Sequence, residues 1–289
     1  MEWEGREESQ NVEDQRGSGG RRLAIGGGAG GIVVLIVALI LGVNPQFLQQ
    51  FLGGGPGVVQ QQGGPRADAD PAEEKLAHFS KVIFHDTEVI WDEQFRKMDK
   101  TYRKPTLVLF DGMVESACGT ADSAVGPFYC PGDSKVYIDL HFYRDMVKKL
   151  NAPGEFARAY VIAHEVGHHV QRLLGYAQRV DDARRSGNQV EANHMSVRLE
   201  LQADFLAGVW AHYGQEKYKF LQPGDIESAL HAAFEIGDDR LQKKARGTVV
   251  PDTFTHGRSE QRQRWFKDGF DTGDVKRAKL LFDVPYEKL

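Results

Sequence analysis

Two histidines four positions apart, His164 and His168, constrain this chain more than any other feature. They lie in the stretch Ala163 to Val170, which reads H-E-x-x-H with Glu165 directly after the first histidine. On a helix, residues four apart share one face, so both imidazoles can bind one metal ion. Glu165 is then placed to take a proton from a water activated by zinc, and the motif predicts a zinc site with hydrolytic chemistry.

The residues around the motif predict that it lies on a helix. Apolar residues recur with helical rather than alternating spacing from Phe156 to Leu174. Asn151 and Pro153 mark the start of this helix, and Gly175 can cap its end. The alternative is a helix that carries two surface histidines, and the residues downstream argue against it.

A catalytic zinc site needs a third protein ligand and an open position for water. Gln171 and Leu174 exclude the pattern in which a third histidine follows on the same segment. A long helix predicted over Asn188 to His212 supplies Glu200 as the third ligand instead. Asp204 lies four residues further on the same face, where it can accept a hydrogen bond from the far nitrogen of the first histidine.

Other residues compete for the role of third ligand. They are Glu191, His194 and His212. His194 is the strongest rival, but no carboxylate follows it four residues on. Glu200 and Asp204 could also form a solvated charged face, although apolar residues surround them. We therefore favour Glu200.

A histidine in a later loop is a candidate for catalysis. His256 precedes a helix predicted to begin near Ser259, and a hydrogen-bonding group near the open metal position would stabilise an oxyanion. Arg262 could orient His256 or the substrate. The alternative is the start of a helix with surface basic residues. His169 lies well round the metal helix and is expected to be a site-rim or packing residue.

The composition excludes several classes of protein. The chain has 289 residues, 41% hydrophobic and 27% charged, which is typical of globular proteins. Its net charge of −5 gives no sign of nucleic-acid binding. The two cysteines, Cys118 and Cys130, exclude a disulfide-rich scaffold and a CxxC zinc site. Both lie in the loop predicted over 111–133, where either a disulfide or two buried thiols would fit.

The N-terminal region predicts a membrane anchor. Residues 1–22 are polar and are expected to form a disordered cytoplasmic arm. The stretch Leu23 to Val43 has no charged residue and is long enough to cross a bilayer. A buried core helix and a cleaved signal peptide are the alternatives, but no small-x-small cleavage site follows. Arg21 and Arg22 precede the stretch and the next basic residue is Arg66, which predicts a single-pass protein of the cell membrane with its catalytic domain outside the cytoplasm.

The bilayer is thus an expected partner, through residues 23–43. Glycines four apart, such as Gly26 and Gly30, also allow weak dimerisation through this segment. Residues 44–71 are rich in Gly, Gln and Pro and are expected to be a flexible linker. The remainder, 72–289, is expected to form one domain.

This domain is predicted to be of the α+β class, mostly helical with a small β-sheet. It should open with a helix from Ala72 to about Met98. Thr106 to Phe110 and Lys135 to Leu140 are expected to be strands. We expect Val136 to Leu140 to be the edge strand to which the backbone of a substrate would add.

Five stretches in order give the chain a resemblance to a known family. They are Ser116 to Gly119, Gly126 to Pro131 with Lys135 to Leu140, His164 to Gln171, Glu200 to Asp204, and Thr255 to Gly257 with Trp265 and Phe266. The chain resembles bacterial membrane-anchored proteins described as neutral zinc metallopeptidases, from about Ala72 to Phe270. The resemblance implies a zincin-like fold, with a metal helix, a glutamate helix and a small sheet beside the cleft. It also implies peptide-bond hydrolysis, with His164, His168 and Glu200 binding zinc and Glu165 as the base.

Three hypotheses follow. The first is a membrane-anchored zinc metallopeptidase that acts on a peptide or protein substrate. The second is a non-catalytic, membrane-tethered zinc-binding scaffold, in which the metal would only stabilise the fold; a structural site has no need of Glu165. The third is a zinc hydrolase of a non-peptide amide.

Overall fold

The computed structural model describes residues 1–17, 70–122, 125–150 and 152–289. In these residues the chain is mostly helical with two small sheets, so the predicted α+β class is confirmed. The predicted membrane span, 23–43, lies outside the described residues, as does nearly all of the linker, 44–71. The expected bilayer contact and the glycine-mediated dimerisation lie there too. Of the helices that the structure describes, none has the length and apolar character needed to cross a membrane.

The α-helices of the described residues are α1 Pro71–Lys97, α2 Leu140–Leu150, α3 Glu155–Leu174, α4 Ala177–Arg185, α5 Gln189–Tyr218, α6 Asp225–Glu235, α7 Asp238–Arg246, α8 Ser259–Thr272 and α9 Leu280–Asp283. Short 3₁₀ helices cover Pro251–Thr253, Val275–Lys279 and Tyr286–Lys288. The cap of α1 shows why the helix begins where it does: the Asp70 side chain accepts a hydrogen bond from the Ala72 N–H at 3.0 Å, and Pro71 occupies the first turn.

The strands are β1 Val12–Asp14, β2 Thr106–Phe110, β3 Met113–Ser116, β4 Gly119–Asp122, β5 Phe128–Cys130 and β6 Lys135–Asp139. The main sheet has the order β1-β2-β6-β5. β1 and β6 both run parallel to β2, whereas β5 runs antiparallel to β6. β3 and β4 form a separate hairpin.

The edge strand differs from the prediction. β6 lies between β2 and β5, so Val136 to Leu140 is not an edge, and Leu140 already begins α2. The edge of the main sheet at this end is β5, which falls in the segment predicted to be a loop. A disulfide joins Cys130, the last residue of β5, to Cys118 in the turn of the β3–β4 hairpin. The disulfide alternative is therefore the one found, and it ties this edge strand to the hairpin.

The core is built around α5, which packs against α3 on one side and α8 on another. Large aromatic side chains fill the space near its C-terminal half, where Trp210 stacks on Phe156 and Phe220. α8 approaches α5 very closely at Gly269, where a Cβ atom would lie 2.0 Å from the carbonyl oxygen of Phe205. Only glycine fits there, because a side chain would force the two helices apart.

Residues 1–17 of the N-terminal arm are folded onto the domain, so the prediction of disorder over 1–22 is wrong for these residues. β1 pairs with β2, and Trp3 is 3% exposed in the main core. The Glu2 N–H also donates to the carbonyl of Phe220 at 2.7 Å. The arm has few apolar residues, but its polar groups find buried partners in the domain, which offsets the cost of ordering it.

Candidate metal centre

The structure brings His164, His168 and Glu200 together. Their candidate ligand atoms all lie within 4.8 Å of one another. The Glu200 carboxylate reaches both imidazoles: Oε2 lies 3.3 Å from Nε2 of His164, and Oε1 lies 3.5 Å from Nε2 of His168. No other group of three or more His, Cys, Asp or Glu side chains in the described residues has ligand-like spacing. The geometry therefore brings together the three ligands predicted from the sequence.

The close packing of α3 on α5 makes this meeting possible. Gly167, in the middle of the motif, faces Ala203 of α5: a Cβ atom here would lie 3.1 Å from the Ala203 carbonyl oxygen and 3.2 Å from its Cα. A side chain at this position would require the neighbouring backbone to shift by a few tenths of an ångström. The glycine of the motif thus permits the close approach of the metal helix to the glutamate helix.

Asp204 lies behind His164, as predicted. Its Oδ1 is 2.8 Å from Nδ1 of His164, which leaves Nε2 pointing at the Glu200 side. Two further groups bind the same carboxylate: the Tyr160 hydroxyl donates to Oδ1 at 2.5 Å, and the Arg262 guanidinium donates to both oxygens at 2.8 and 2.9 Å. Such contacts fix the tautomer and the ring orientation of a metal-binding histidine.

His168 is held from the other side. Its Nδ1 lies 2.9 Å from Oε1 of Gln171, whose amide donates in turn to the carbonyl of Leu199 at 2.5 Å. The Gln171 side chain thus accepts a hydrogen bond from His168 and donates one to Leu199, the residue before Glu200. Gln171 therefore links the second histidine to the glutamate helix, a role that the sequence analysis did not assign to it.

Charges and burial set the protonation of the site. Burial alone would lower the pKa of His164, but the carboxylates of Asp204 and Glu200 outweigh it and raise that pKa to about 10. Burial raises the pKa of Glu165 to about 7, and the charge of Glu200 adds to this effect; His164 and the Tyr129 backbone N–H oppose it. For Glu200, the neighbouring histidines overcome burial and lower the pKa. A carboxyl with its pKa near neutral is suited to proton transfer.

Arg262 compensates the buried charge of Asp204. Burial would raise the pKa of Asp204, but Arg262 and His164 hold it below its ordinary value. Arg262 was predicted to orient His256 or the substrate; in the structure its hydrogen bonds go to Asp204, Tyr160 and the carbonyl of Ile236, with Nη2 3.5 Å from His164 Nδ1. It therefore acts behind the metal ligand rather than on the open side.

His256 is held by a single buried carboxylate. Asp238, the first residue of α7, accepts hydrogen bonds from the backbone N–H groups of Thr255, His256 and Gly257 at 2.7, 2.6 and 3.1 Å. Its other oxygen lies 3.2 Å from Nδ1 of His256. Burial would lower the pKa of His256, but Asp238 and the charge of Glu200 raise it. Asp238 thus fixes the loop and, together with Glu200, makes His256 easier to protonate.

The rival residues lie elsewhere. The His194 ring stacks on Tyr286 at a centroid distance of 3.6 Å, and Nδ1 of His212 is 2.8 Å from the carbonyl of Phe270. His169 is buried, with its Nε2 2.6 Å from the Arg103 carbonyl and its Nδ1 3.0 Å from the Tyr129 hydroxyl. Because a carbonyl can only accept, Nε2 carries the proton and the tyrosine donates to Nδ1. His169 is a packing residue, one of the two roles expected.

Three residues of the site were missed by the sequence analysis. Tyr160 and Gln171 had a detectable signal, because they lie four residues before His164 and three after His168 on the same helix. Asp238 had none, since it joins the site only through the fold. It lies at the start of a helix after Gly237, where an acidic residue is ordinary.

The donor set suits zinc. Two imidazole nitrogens and one carboxylate are the protein ligands of one class of catalytic zinc site, in which the fourth position is left for water or substrate. Nδ1 of His164 and Nδ1 of His168 are also hydrogen-bonded, to Asp204 and Gln171, as is usual for metal-binding histidines. The residues present would therefore hold a zinc ion through His164, His168 and Glu200.

The protein has a mostly helical α+β fold. One helix carries an H-E-x-x-H motif, and a second brings a downstream glutamate to the same point. These features define a class of candidate zinc hydrolases. Within this class the chain belongs to the family described as Putative neutral zinc metallopeptidase, whose profile matches residues 1–280. The match includes the N-terminal arm, so the resemblance is wider than the range from Ala72 to Phe270 taken from the sequence motifs. No solved structure matches the chain.

Two bacterial relatives illustrate the extent of the similarity. The chain is 51% identical over 287 residues to "Uncharacterized protein YpfJ" of Escherichia coli (strain K12), covering 97% of this chain and 99% of the relative. It is 46% identical over 183 residues to "Uncharacterized protein Rv2575" of Mycobacterium tuberculosis (strain H37Rv), covering 60% of this chain and 61% of the relative. These relatives support the family but name no substrate.

Proposed function

We propose that the protein is a zinc-dependent metallopeptidase that hydrolyses peptide bonds. The observation that carries this proposal is the meeting of His164, His168 and Glu200 with Glu165 beside them. A metal helix and a glutamate helix next to a small sheet also agree with a zincin-like fold. The proposal extends the family's description to this chain.

A catalytic role is favoured over a purely structural zinc site. Structural sites are closed by four protein ligands, whereas the part of the chain that the structure describes brings three together. His168 and Glu200 also keep part of their side chains accessible, at 16% and 19%. A scaffold would not need Glu165, which is 9% exposed and adds a costly buried carboxyl.

The roles of the side chains follow from their positions. When bound, zinc lowers the pKa of a coordinated water and polarises a carbonyl. Glu165 would accept a proton from the attacking water and pass it to the leaving amine, for which its raised pKa is suited. His256, whose pKa is raised by Asp238 and Glu200, would in its protonated form donate a hydrogen bond from Nε2 to the developing oxyanion.

The substrate would add to the sheet at β5. This strand is the edge of the main sheet, and the backbone N–H of Tyr129 lies close enough to the Glu165 carboxyl to lower its pKa. An extended peptide paired with β5 would therefore run past the base. Tyr129 is held in place by His169 and by the disulfide at the next residue. We propose a peptide or protein in extended conformation as the substrate.

Zinc content tests the ligand assignment directly. Elemental analysis of the purified full chain should give one zinc per molecule in the wild type and in His194→Ala, because His194 stacks on Tyr286 away from the cluster. Glu200→Ala should lose the metal. A zinc content that is unchanged in Glu200→Ala, or no zinc in the wild type, would refute the proposed site. If the zinc assay succeeds, cleavage of an unbiased peptide library tests the activity.

A further inference from the structure

Residues 1–17, the described part of the N-terminal arm, are an integral part of the folded domain. Trp3 is the apolar anchor of the arm: it is buried, and its ring meets that of Phe79 edge-on at a centroid distance of 5.3 Å. His78 contacts the same indole at 5.2 Å. Both partners belong to α1, so the first residues of the chain complete the surface of that helix.

The surface of α1 beneath the arm carries two buried acidic residues. The arm supplies an ion-pair partner to one and hydrogen-bond donors to the other. Asp86 is 1% exposed and lies 3.0 Å from the Arg6 guanidinium, which also lies over the rings of Tyr218 and Phe220. Glu88, also 1% exposed, accepts hydrogen bonds from two arm residues, Ser9 at 3.1 Å and Asn11 at 2.6 Å. Removing the arm would take a cation and two hydrogen-bond donors away from these buried carboxyl groups, which is unfavourable.

The end of the arm is bound to both the sheet and the start of α1. In β1, Glu13 pairs with Val108 of β2, and its carboxylate lies 2.7 Å from the Lys135 ammonium of β6. The Arg16 guanidinium lies 3.4 Å from Glu73 and 3.0 Å from Glu74 in the first turn of α1. The two ends of the segment 18–69 therefore meet on one face of one folded body.

We infer that the arm and the catalytic domain occupy the same side of any membrane and fold together in cis. A single crossing by the segment 18–69 would place about 30 Å of hydrocarbon between β1 and β2. Paired strands lie about 4.8 Å apart, so the pairing and a single crossing exclude each other. This inference replaces the topology with a cytoplasmic N-terminus and an outside domain, and it does not depend on the proposed activity.

Side-specific labelling of the full chain tests the shared compartment. Glu4 and Lys75 are exposed and form an ion pair of 2.8 Å between the arm and α1, so each can be replaced by cysteine singly. The two native cysteines are joined in a disulfide and will not compete for the label. In spheroplasts treated with a membrane-impermeant maleimide, Glu4→Cys and Lys75→Cys should react under the same condition, either both before or both after detergent. Labelling of one before and the other only after detergent would overturn the inference.

Cross-linking tests docking in cis. The double variant Glu4→Cys/Lys75→Cys, treated with a short bis-maleimide, should give a cross-linked monomer whose linked peptides are identified by mass spectrometry. Each single variant is the matched control and cannot form this product. A covalent dimer instead would mean that the arm is supplied by a second copy, which overturns the cis arrangement. No cross-link in the double variant would overturn docking of the arm altogether.

Discussion

Arg262 binds both carboxylate oxygens of Asp204, with Nε 2.8 Å from Oδ2 and Nη2 2.9 Å from Oδ1. Both side chains are almost fully buried, at 2% and 0% exposure. The same aspartate orients His164, so the ion pair connects α8 to the metal helix through one carboxylate. A bidentate arginine has the fixed geometry that holds such a carboxylate in one position.

Replacing Arg262 by methionine should therefore destabilise the fold and weaken zinc binding together. We expect a loss of about 3–5 kcal/mol in the free energy of unfolding, because a buried charge loses its partner. Zinc affinity should fall by about 10–100-fold, since the orientation of His164 is relaxed. Urea denaturation and competition with a zinc chelator measure the two effects. Arg264→Met is the control, because Arg264 lies on the exposed side of the same helix and donates to the Lys288 carbonyl. Equal behaviour of the two variants would contradict the prediction.

Glu165→Gln separates metal binding from hydrolysis. The amide has nearly the same shape but cannot accept the proton, so we expect kcat to fall by about 10²–10⁴-fold. Zinc content should stay at the wild-type value, because His164, His168 and Glu200 are unchanged. Peptide cleavage and elemental analysis on the same preparation give both quantities. Full activity in this variant would show that Glu165 is not the base.

The interaction between His256 and Asp238 can be tested with a double-mutant cycle. His256→Ala should lower kcat by about 10²–10³-fold with zinc retained, as expected for the loss of an oxyanion donor. Asp238→Ala should also lower kcat, since its carboxylate holds the loop and Nδ1 of the histidine. If Asp238 acts through His256, the double variant should be little slower than His256→Ala alone. Additive losses in kcat would instead indicate separate roles.

The candidate metal ligands were easier to predict than the residues that hold the site in place. Helical spacing places His164 and His168 on one face and Glu200 and Asp204 on another, and both relationships are local in the sequence. Asp238 was not predicted, because its hydrogen-bond partners are in the loop Thr255 to Gly257, which follows α7 and a short 3₁₀ helix. A contact of this kind depends on the tertiary fold and leaves no periodic signal.

The sheet and the arm were missed for different physical reasons. β5 has only three residues and lies between Pro127 and Pro131, so its alternation is too short to detect and proline disfavours the assignment of a strand. The arm has the polar composition of a disordered segment. Its order comes from specific buried partners in α1, such as Asp86 and Glu88, which composition does not reveal.

Trp3→Ala measures how much the arm contributes to the domain. Truncation of a buried aromatic side chain typically costs about 3–5 kcal/mol, and Trp3 is 3% exposed against Phe79. We expect a loss of this size in the free energy of unfolding of the whole domain, in a single cooperative transition. Met113→Ala serves as the control, because Met113 is 56% exposed. Unchanged stability in Trp3→Ala would mean that the arm is not docked in solution.

The pH dependence of stability should report on Asp86 beneath the arm. Burial raises the pKa of Asp86 to about 7, although Arg6 opposes this, whereas an unfolded aspartate has a pKa of about 3.9. Between about pH 4 and pH 7 the native state therefore holds a proton that the unfolded state has lost. The stability that Asp86 contributes is therefore present in full below about pH 4. It is lost as the pH rises from about 4 through the folded pKa of about 7.

Asp86→Asn removes this titration, so the variant should gain stability relative to the wild type as the pH is raised from 4.5 to 7.5. Urea denaturation at several pH values in this range measures the difference between the two proteins. Asp92→Asn, on the exposed side of the same helix, is the matched control. Its free energy of unfolding should differ from that of the wild type by the same amount at every pH. If Asp86→Asn also runs parallel to the wild type, then the carboxyl is ionised throughout and its ion pair with Arg6 outweighs the cost of burial.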